Sequence, residues 1–466
     1  MTQISMKNIP NELLSKFKIY SGVNKEFENI FLKNKELNIQ NIGDLFIEIE
    51  VLNNLINTNF GYEICYDTRY WNLNYNLNFL SLDLSSSNIY ELPEIFGKIN
   101  IKGTLNLSYN GLRKLSESFG EITVGGNLNL SYNQLRTLPK SFGNITIGGD
   151  LNVCCNELRT LPKNFGKHTV IGGILDLSYN NFTTLPRSFH DIIVEGNIFL
   201  HDSNISTLPK NFGGTKEKPF HIKGNLILHS NYLKNLPKSL KYLKIEGTFD
   251  LSKNQINLLP NNFGNNLICK NLILSNNNLK SLPYDFCKIN IEFVLDLSNN
   301  EIIILPDNFG EITIGRSLDL SHNKIITLSK SFCKLKINGR LNLSHNEIIK
   351  LPNNFGEITI GGTFINGNID LSYNKIIKLP KSFCELKING RLNLSHNEII
   401  KLPNDFGKIT VGNVLDLSYN QMSKLPFSFL DITVGSNLKL ENNNFDLISL
   451  LELAPEMYNV KGNIIT

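Results

Sequence analysis

From Leu82 onward the apolar and polar positions of the chain repeat with one period, shown by LNLSYNQLRTLPKSFGNITIGGD between Leu128 and Asp150. Taking the first apolar residue of LxL as position 1, repeats begin at Leu82, Leu105, Leu128, Leu151, Leu175, Ile198, Leu226, Phe249, Leu272, Leu295, Leu318, Leu341, Ile369, Leu392, Leu415 and Leu438. Of the fifteen intervals between these sixteen starts, twelve are 23 residues, one is 24 (at 167–171) and two are 28 (around Gly213 to His221 and Gly361 to Asn368). The alternation in LxL predicts a short strand with positions 1 and 3 inward and 2 and 4 outward, so that stacked repeats form a parallel sheet. A second alternation, IxIxG at Ile145, Ile147 and Gly149, predicts an extended return arm rather than a helix. A period of this length specifies a solenoid.

Position 6 is polar in the middle of this apolar pattern. It is Asn110, Asn133, Asn156, Asn180, Asn231, Asn254, Asn277, Asn300, Asn323, Asn346, Asn374, Asn397, Asn420 and Asn443, with Ser87 and Ser203 as the exceptions. The chain must turn sharply after the strand, which leaves backbone groups inside the coil without partners. A buried Asn amide carries both donors and an acceptor and can satisfy them. Leu or Ile at positions 8 and 11 fills the interior. Across the first fifteen repeats Pro at position 12, replaced only by Ser116 and Ser329, fixes φ where no ladder N–H is needed. Across the same fifteen repeats Phe at position 15, with Leu240 the one substitute, closes the core from the far side.

The wording LxLxxNxLxxLP resembles the leucine-rich repeat superfamily over about residues 80 to 450. The resemblance implies an α/β leucine-rich repeat solenoid, with a parallel β-sheet on the concave face and an extended or short-strand convex arm. At roughly 4.8 Å per strand the sheet would run about 70 Å, gently curved because both arms are extended. Three regions follow: residues 1–78 as an N-terminal helical cap, 79–448 as the solenoid, and 449–466 as a C-terminal cap. The cap reading rests on helical spacing of Leu13, Leu14 and Phe17, then Phe27, Ile30 and Phe31, then Leu45, Ile49, Leu52 and Ile56. IPNELL (Ile9 to Leu14) and VNKEF (Val23 to Phe27) also faintly resemble the ends of an F-box, although the segment between them is too short. Heavy use of Asn, Ile and Lys, with this repeat wording, resembles leucine-rich-repeat proteins of giant viruses or amoebae.

A net charge of +4 over 466 residues gives no call for nucleic acid or a membrane surface. The start MTQISMKNIPNELLSKF lacks a secretory apolar run, and no later stretch is long enough to span a bilayer. Seven cysteines without a cysteine-rich cap point the same way, to a cytoplasmic protein, or host cytoplasm if viral. Sequons at Asn106, Asn129, Asn342 and Asn393 fall on strand position 2, where glycans would cover the concave face. Residues 331–360 and 382–411 match at 26 of 30 positions, the mark of a two-repeat duplication.

Position 2 is a polar, mildly acidic column of mostly Asp and Asn, with Ser at position 4 and Tyr or His at position 5 alongside. Phe199 and Ile227 break it, His201 and His229 replace Ser, and Tyr232 takes position 7. Apolar and aromatic side chains in a polar surround mark a candidate partner-binding patch; drift after the neighbouring 28-residue interval gives the same pattern. His201 and His229, with Asp202 beside them, lack the further ligands a zinc site needs, so no metal or cofactor is assigned. Asp296 and Asp319 would face each other across one strand spacing, a carboxylate separation that glycosidases use, but on an open sheet without a cleft. No GxxxxGK[ST], HExxH, GxSxG or CxxC occurs.

At the outer edge Arg113, Arg136 and Arg159 at position 9, with Lys140, Lys163, Arg187, Lys210 and Lys238 at position 13, form a basic stripe. Later repeats carry Ile303, Ile326, Ile349, Ile377 and Ile400 at position 9, for which core packing is the expected arrangement. These features point to a non-catalytic scaffold that binds a protein partner through its concave sheet. An F-box-like ubiquitin-ligase adaptor is the alternative, and an enzyme with a concave-face carboxylate or His site a remote third.

Overall fold

The computed structural model describes residues 78–79, 81–92, 96–97, 99–265, 267–362, 367–445 and 459–466. The helical cap and F-box-like segment lie outside them. The chain separates into two bodies, the first ending at Phe212 and taking in Ile222–Ile227, the second comprising Gly213–His221 and Leu228–Thr466.

In the first body, strands Leu82–Asp83, Leu105–Asn106, Leu128–Asn129, Leu151–Asn152, Leu175–Asp176, Ile198–Phe199 and Leu226–Ile227 pair in parallel, in sequence order and in register. The second body builds its own parallel run from Thr248–Asp250 to Leu438–Lys439, extended by Ile464–Ile465. Positions 1 and 3 are buried throughout; position 2 lies on the opposite face, half-buried in most repeats and covered at Asn342, Asn393 and Asp416. The return arm is extended: Asn100–Ile101, Thr123–Val124, Thr146–Ile147, Val170–Ile171 and Ile193–Val194 pair as a second parallel ladder. No α-helix is found among the described residues. The helical component is a 3-10 turn at positions 13 to 17, such as Lys140–Asn144, opened by Pro139 at φ −64° and closed by Phe142 N–H donating to Pro139 O at 3.0 Å. Ser116 and Ser329 hold the same backbone as the prolines they replace, with φ of −64° and −69°.

Between arm and sheet the glycine pair lets neighbouring backbones touch; a Cβ on Gly148 would lie 2.0 Å from Gly125 O. Where Cys269–Lys270 and Glu292–Phe293 replace that pair, arm and sheet fuse into single strands, Ile268–Ile273 and Asn290–Asp296. Behind the sheet the phenylalanines stack, as in Phe96–Phe119 and Phe119–Phe142 at 6.0 and 6.3 Å between ring centres.

The asparagines line the inner turn, and all along the array, as at Asn133, Asn277 and Asn420, they tie a repeat to the one before. Asn277 Nδ2 donates to Leu251 O at 3.0 Å, to Leu274 O at 3.1 Å and to Ser275 O at 3.3 Å, while its Oδ1 accepts from Ile256 N at 2.9 Å. Ser203, the shorter stand-in, reaches Leu177 O at 3.3 Å and His201 O at 3.0 Å.

The isoleucine ridge at position 9 departs from the core packing expected of it. Ile302, Ile325, Ile348, Ile376 and Ile399 at position 8 are fully buried and already fill the interior. That leaves no room inside for the residue that follows, and in the first of these repeats Ile304 is turned out as well. Ile303, Ile326, Ile349 and Ile400 are 40 to 49 % exposed, and Ile377 is half-buried.

Candidate functional site

The polar column on the sheet is largely committed to itself. At position 2 an Asp or Asn Oδ1 accepts from the N–H and hydroxyl of the Ser two residues on, as in Asp176 with Ser178 (3.0 and 2.6 Å), Asp296 with Ser298 (2.9 and 2.6 Å) and Asp319 with Ser321 (2.9 and 2.6 Å). Asp296 and Asp319 do stand in register. Asp319 is further engaged by Asn342 Nδ2, at 3.1 and 3.0 Å from its two oxygens. Arginines at the strand start also answer the acids: Arg391 Nη2 donates to Asp416 Oδ2 at 3.1 Å, and Lys439 Nζ lies 3.6 Å from the same oxygen. The surface is therefore less acidic than its letters suggest.

Phe199 and Ile227 interrupt this in the first body. They are paired in register, Asp176 flanks Phe199 on the other side, and both side chains are half-buried on the outward face. The His201 ring meets Phe199 edge-on at 6.2 Å and Tyr179 edge-on at 5.2 Å, and its Nδ1 lies 3.0 Å from Asp202 Oδ2. Tyr179, half exposed, belongs to this patch although the strand pattern alone did not select it. The signal was present in the position-5 column, one residue before the buried Asn. In the second body His229 Nδ1 lies 3.0 Å from Ser230 Oγ, and Tyr232 is exposed. His201 with Asp202 and His229 thus belong to different bodies. The insertion at 214–219 is taken up after position 15, in the return arm. Gly214, at φ +83°, bridges to Pro219, and Thr215 N–H donates to Lys218 O at 2.9 Å.

Position 5 has one backbone state in all sixteen repeats. From Ser86 through Tyr109 to Asn442 its φ lies between +51° and +57°. This left-handed turn carries the chain from strand to buried Asn, and it aims every position-5 side chain alike. Tyr109 and Tyr132 stack at 4.3 Å. In the second body His322, His345, Tyr373, His396 and Tyr419 form one continuous stack, their centroids 4.1 or 4.2 Å apart. Burial and the neighbouring His322 push the His345 imidazole below its ordinary value of 6.5, with Asp370 opposing. The cysteines that follow Phe at position 16 are buried, with thiols pushed up to about 12 for Cys287 and about 11 for Cys333, chiefly by burial.

On the basic stripe, Arg136 Nε lies 3.0 Å from Glu157 Oε2, and Arg113 Nε donates to Gln134 Oε1 at 3.3 Å. The Arg136 charge is thus answered one repeat further on, whereas Arg113 meets only a neutral amide there. Among the described residues no helix is long and apolar enough to cross a membrane.

The family model for the leucine-rich repeat matches residues 316–335. No curated protein matches the sequence. Among solved structures, a leucine-rich-repeat protein of Leptospira interrogans is 24% identical, with a TM-score of 0.56, over 82% of this chain and 95% of that one. The APL1 leucine-rich repeat domain is 17% identical, with a TM-score of 0.51, over 82% and 92%. A structure of the LRIM1/APL1C complex is 18% identical, with a TM-score of 0.54, over 84% and 66%.

Proposed function

We propose that this chain, a leucine-rich-repeat protein, is a non-catalytic scaffold that holds another protein against its sheet face, anchored on Phe199 and Ile227. The fold is one typical of interaction scaffolds, and the neighbour solved as LRIM1/APL1C is a protein complex. The observation that carries the reading is chemical. On a face where Asp and Asn close hydrogen-bonded turns with Ser, two apolar side chains stand in register and half exposed, with His201 and Tyr179 packed at their side. Desolvating such a pair under a partner is favourable, whereas the surrounding Asp and Asn would have to exchange water for new partners.

The test is affinity capture from cell lysate with the parent chain and with Phe199→Ala and Ile227→Ala. Each substitution in an interface centre costs about 2 kcal/mol, roughly thirtyfold in affinity. A specific partner held by the parent is expected to be lost from the double variant; identical captured sets would sink the reading.

A further inference from the structure

The exposed isoleucine ridge lies in the second body and belongs to no part of the sheet face. Its members are held at ladder spacing by their own backbone: Ile326 N–H donates to Ile303 O, Ile349 to Ile326, Ile377 to Ile349 and Ile400 to Ile377, at 3.3 to 3.4 Å. The 28-residue interval does not interrupt it, since Ile377 still pairs with Ile349. The five side chains thus form an apolar stripe with a step of roughly 4.8 Å.

Charge is arranged unevenly on its two flanks. At position 7 the charges answer one another, Lys324 to Glu301 at 3.5 Å and Lys375 to Glu347 at 3.1 Å. At position 10 Ile304 and Thr327 stand beside the first two ridge residues, Lys350, Lys378 and Lys401 beside the last three, and Lys424 one repeat beyond; the four lysines are all exposed. Among the described residues none of these four has a carboxylate within 4.0 Å.

We propose that this strip docks an acidic amphipathic α-helix of another protein. Apolar residues alternating three and four apart on a helix step by about 5.3 Å, close to the stripe; same-face residues of an extended strand step by about 6.8 Å and fall out of phase. The four intervals from Ile303 to Ile400 then accommodate about four helical turns, with carboxylates on one side of the apolar seam meeting the lysine column. A second copy of this chain would bring that same lysine column with it.

A labelled synthetic helix of about 15 residues tests this, with leucines three and four apart and glutamates along one side. It is titrated against the full chain by fluorescence anisotropy. Saturable binding is expected, weakened about tenfold or more by Ile349→Ser with Ile377→Ser, and separately by Lys378→Glu with Lys401→Glu. Circular dichroism checks that each variant keeps its fold, which the exposure of all but one of these positions favours. Phe199→Ala is expected to leave this binding unchanged, so failure here is distinct from failure at the sheet face. The proposal is overturned by absence of saturable binding, or by equal binding of the peptide with lysine in place of glutamate. It is equally overturned if the strip instead binds anionic phosphatidylserine vesicles, or if sedimentation shows a dimer that the isoleucine variant abolishes.

Discussion

One side chain, Asn277, meets four backbone groups, two in its own repeat and two in the repeat before it. Replacing it by Ala would leave the Ile256 N–H and three carbonyls buried without that partner. Each such loss costs about 1–3 kcal/mol, and partial relaxation keeps the sum below simple addition. We therefore expect Asn277→Ala to lower unfolding stability by about 3 kcal/mol or more in urea titration, and an exposed change such as Asn278→Ala to cost less than half of that. Equal losses would mean that the ladder is not where the turn is satisfied. Ser203 shows how far a shorter side chain can substitute: it reaches carbonyls of both repeats, but with one hydroxyl.

At the scale of the element, the histidine and tyrosine stack couples side chains that the linear sequence separates by a repeat or more. His345 sits between His322 and Tyr373, with Asp370 and His396 also acting on it. Its pKa in the folded chain lies below 6.5, so under acid the unfolded state binds its proton more readily. Stability contributed by the neutral ring is present above about pH 6.5 and is lost as the pH falls below it. The urea midpoint should fall on acidification from about pH 7 to 5, and His345→Gln should flatten that fall. A midpoint difference between parent and variant that does not change with pH would refute the coupling. Strands, return arm and buried asparagines were legible because two-residue alternation and a 23-residue period each leave a direct trace in the letters. The ridge was not: in Ile302–Ile303–Ile304 the alternation disappears, and only the space already filled by Ile302 leaves both Ile303 and Ile304 outside. Phe199 and Ile227 could be placed by register alone, whereas the edge contact of Tyr179 with His201 depends on a left-handed backbone that no hydrophobic pattern encodes.

Across the whole molecule the same few contacts recur from repeat to repeat, so stability accumulates between neighbours rather than in one centre. Removing residues 318–340, one full period, joins Ser317 to Leu341 with strand, turn, proline and phenylalanine still in phase. Removing only 318–329 does not. The first deletion is expected to give a soluble chain with a single cooperative urea transition and a slightly smaller m-value, the second a loss of cooperativity. Similar unfolding curves for both would argue against repeat-wise construction. The left-handed position 5 adds a condition on variation along the entire array. Its sixteen occupants are Ser, Tyr, Cys, Asp, Lys, Asn and His, and never Val, Ile or Thr. For anyone recoding this scaffold into a library of binders, that column is an exposed row with a restricted alphabet: charge, ring and amide can be exchanged there, but codons for β-branched residues would spend diversity on chains that resist the turn.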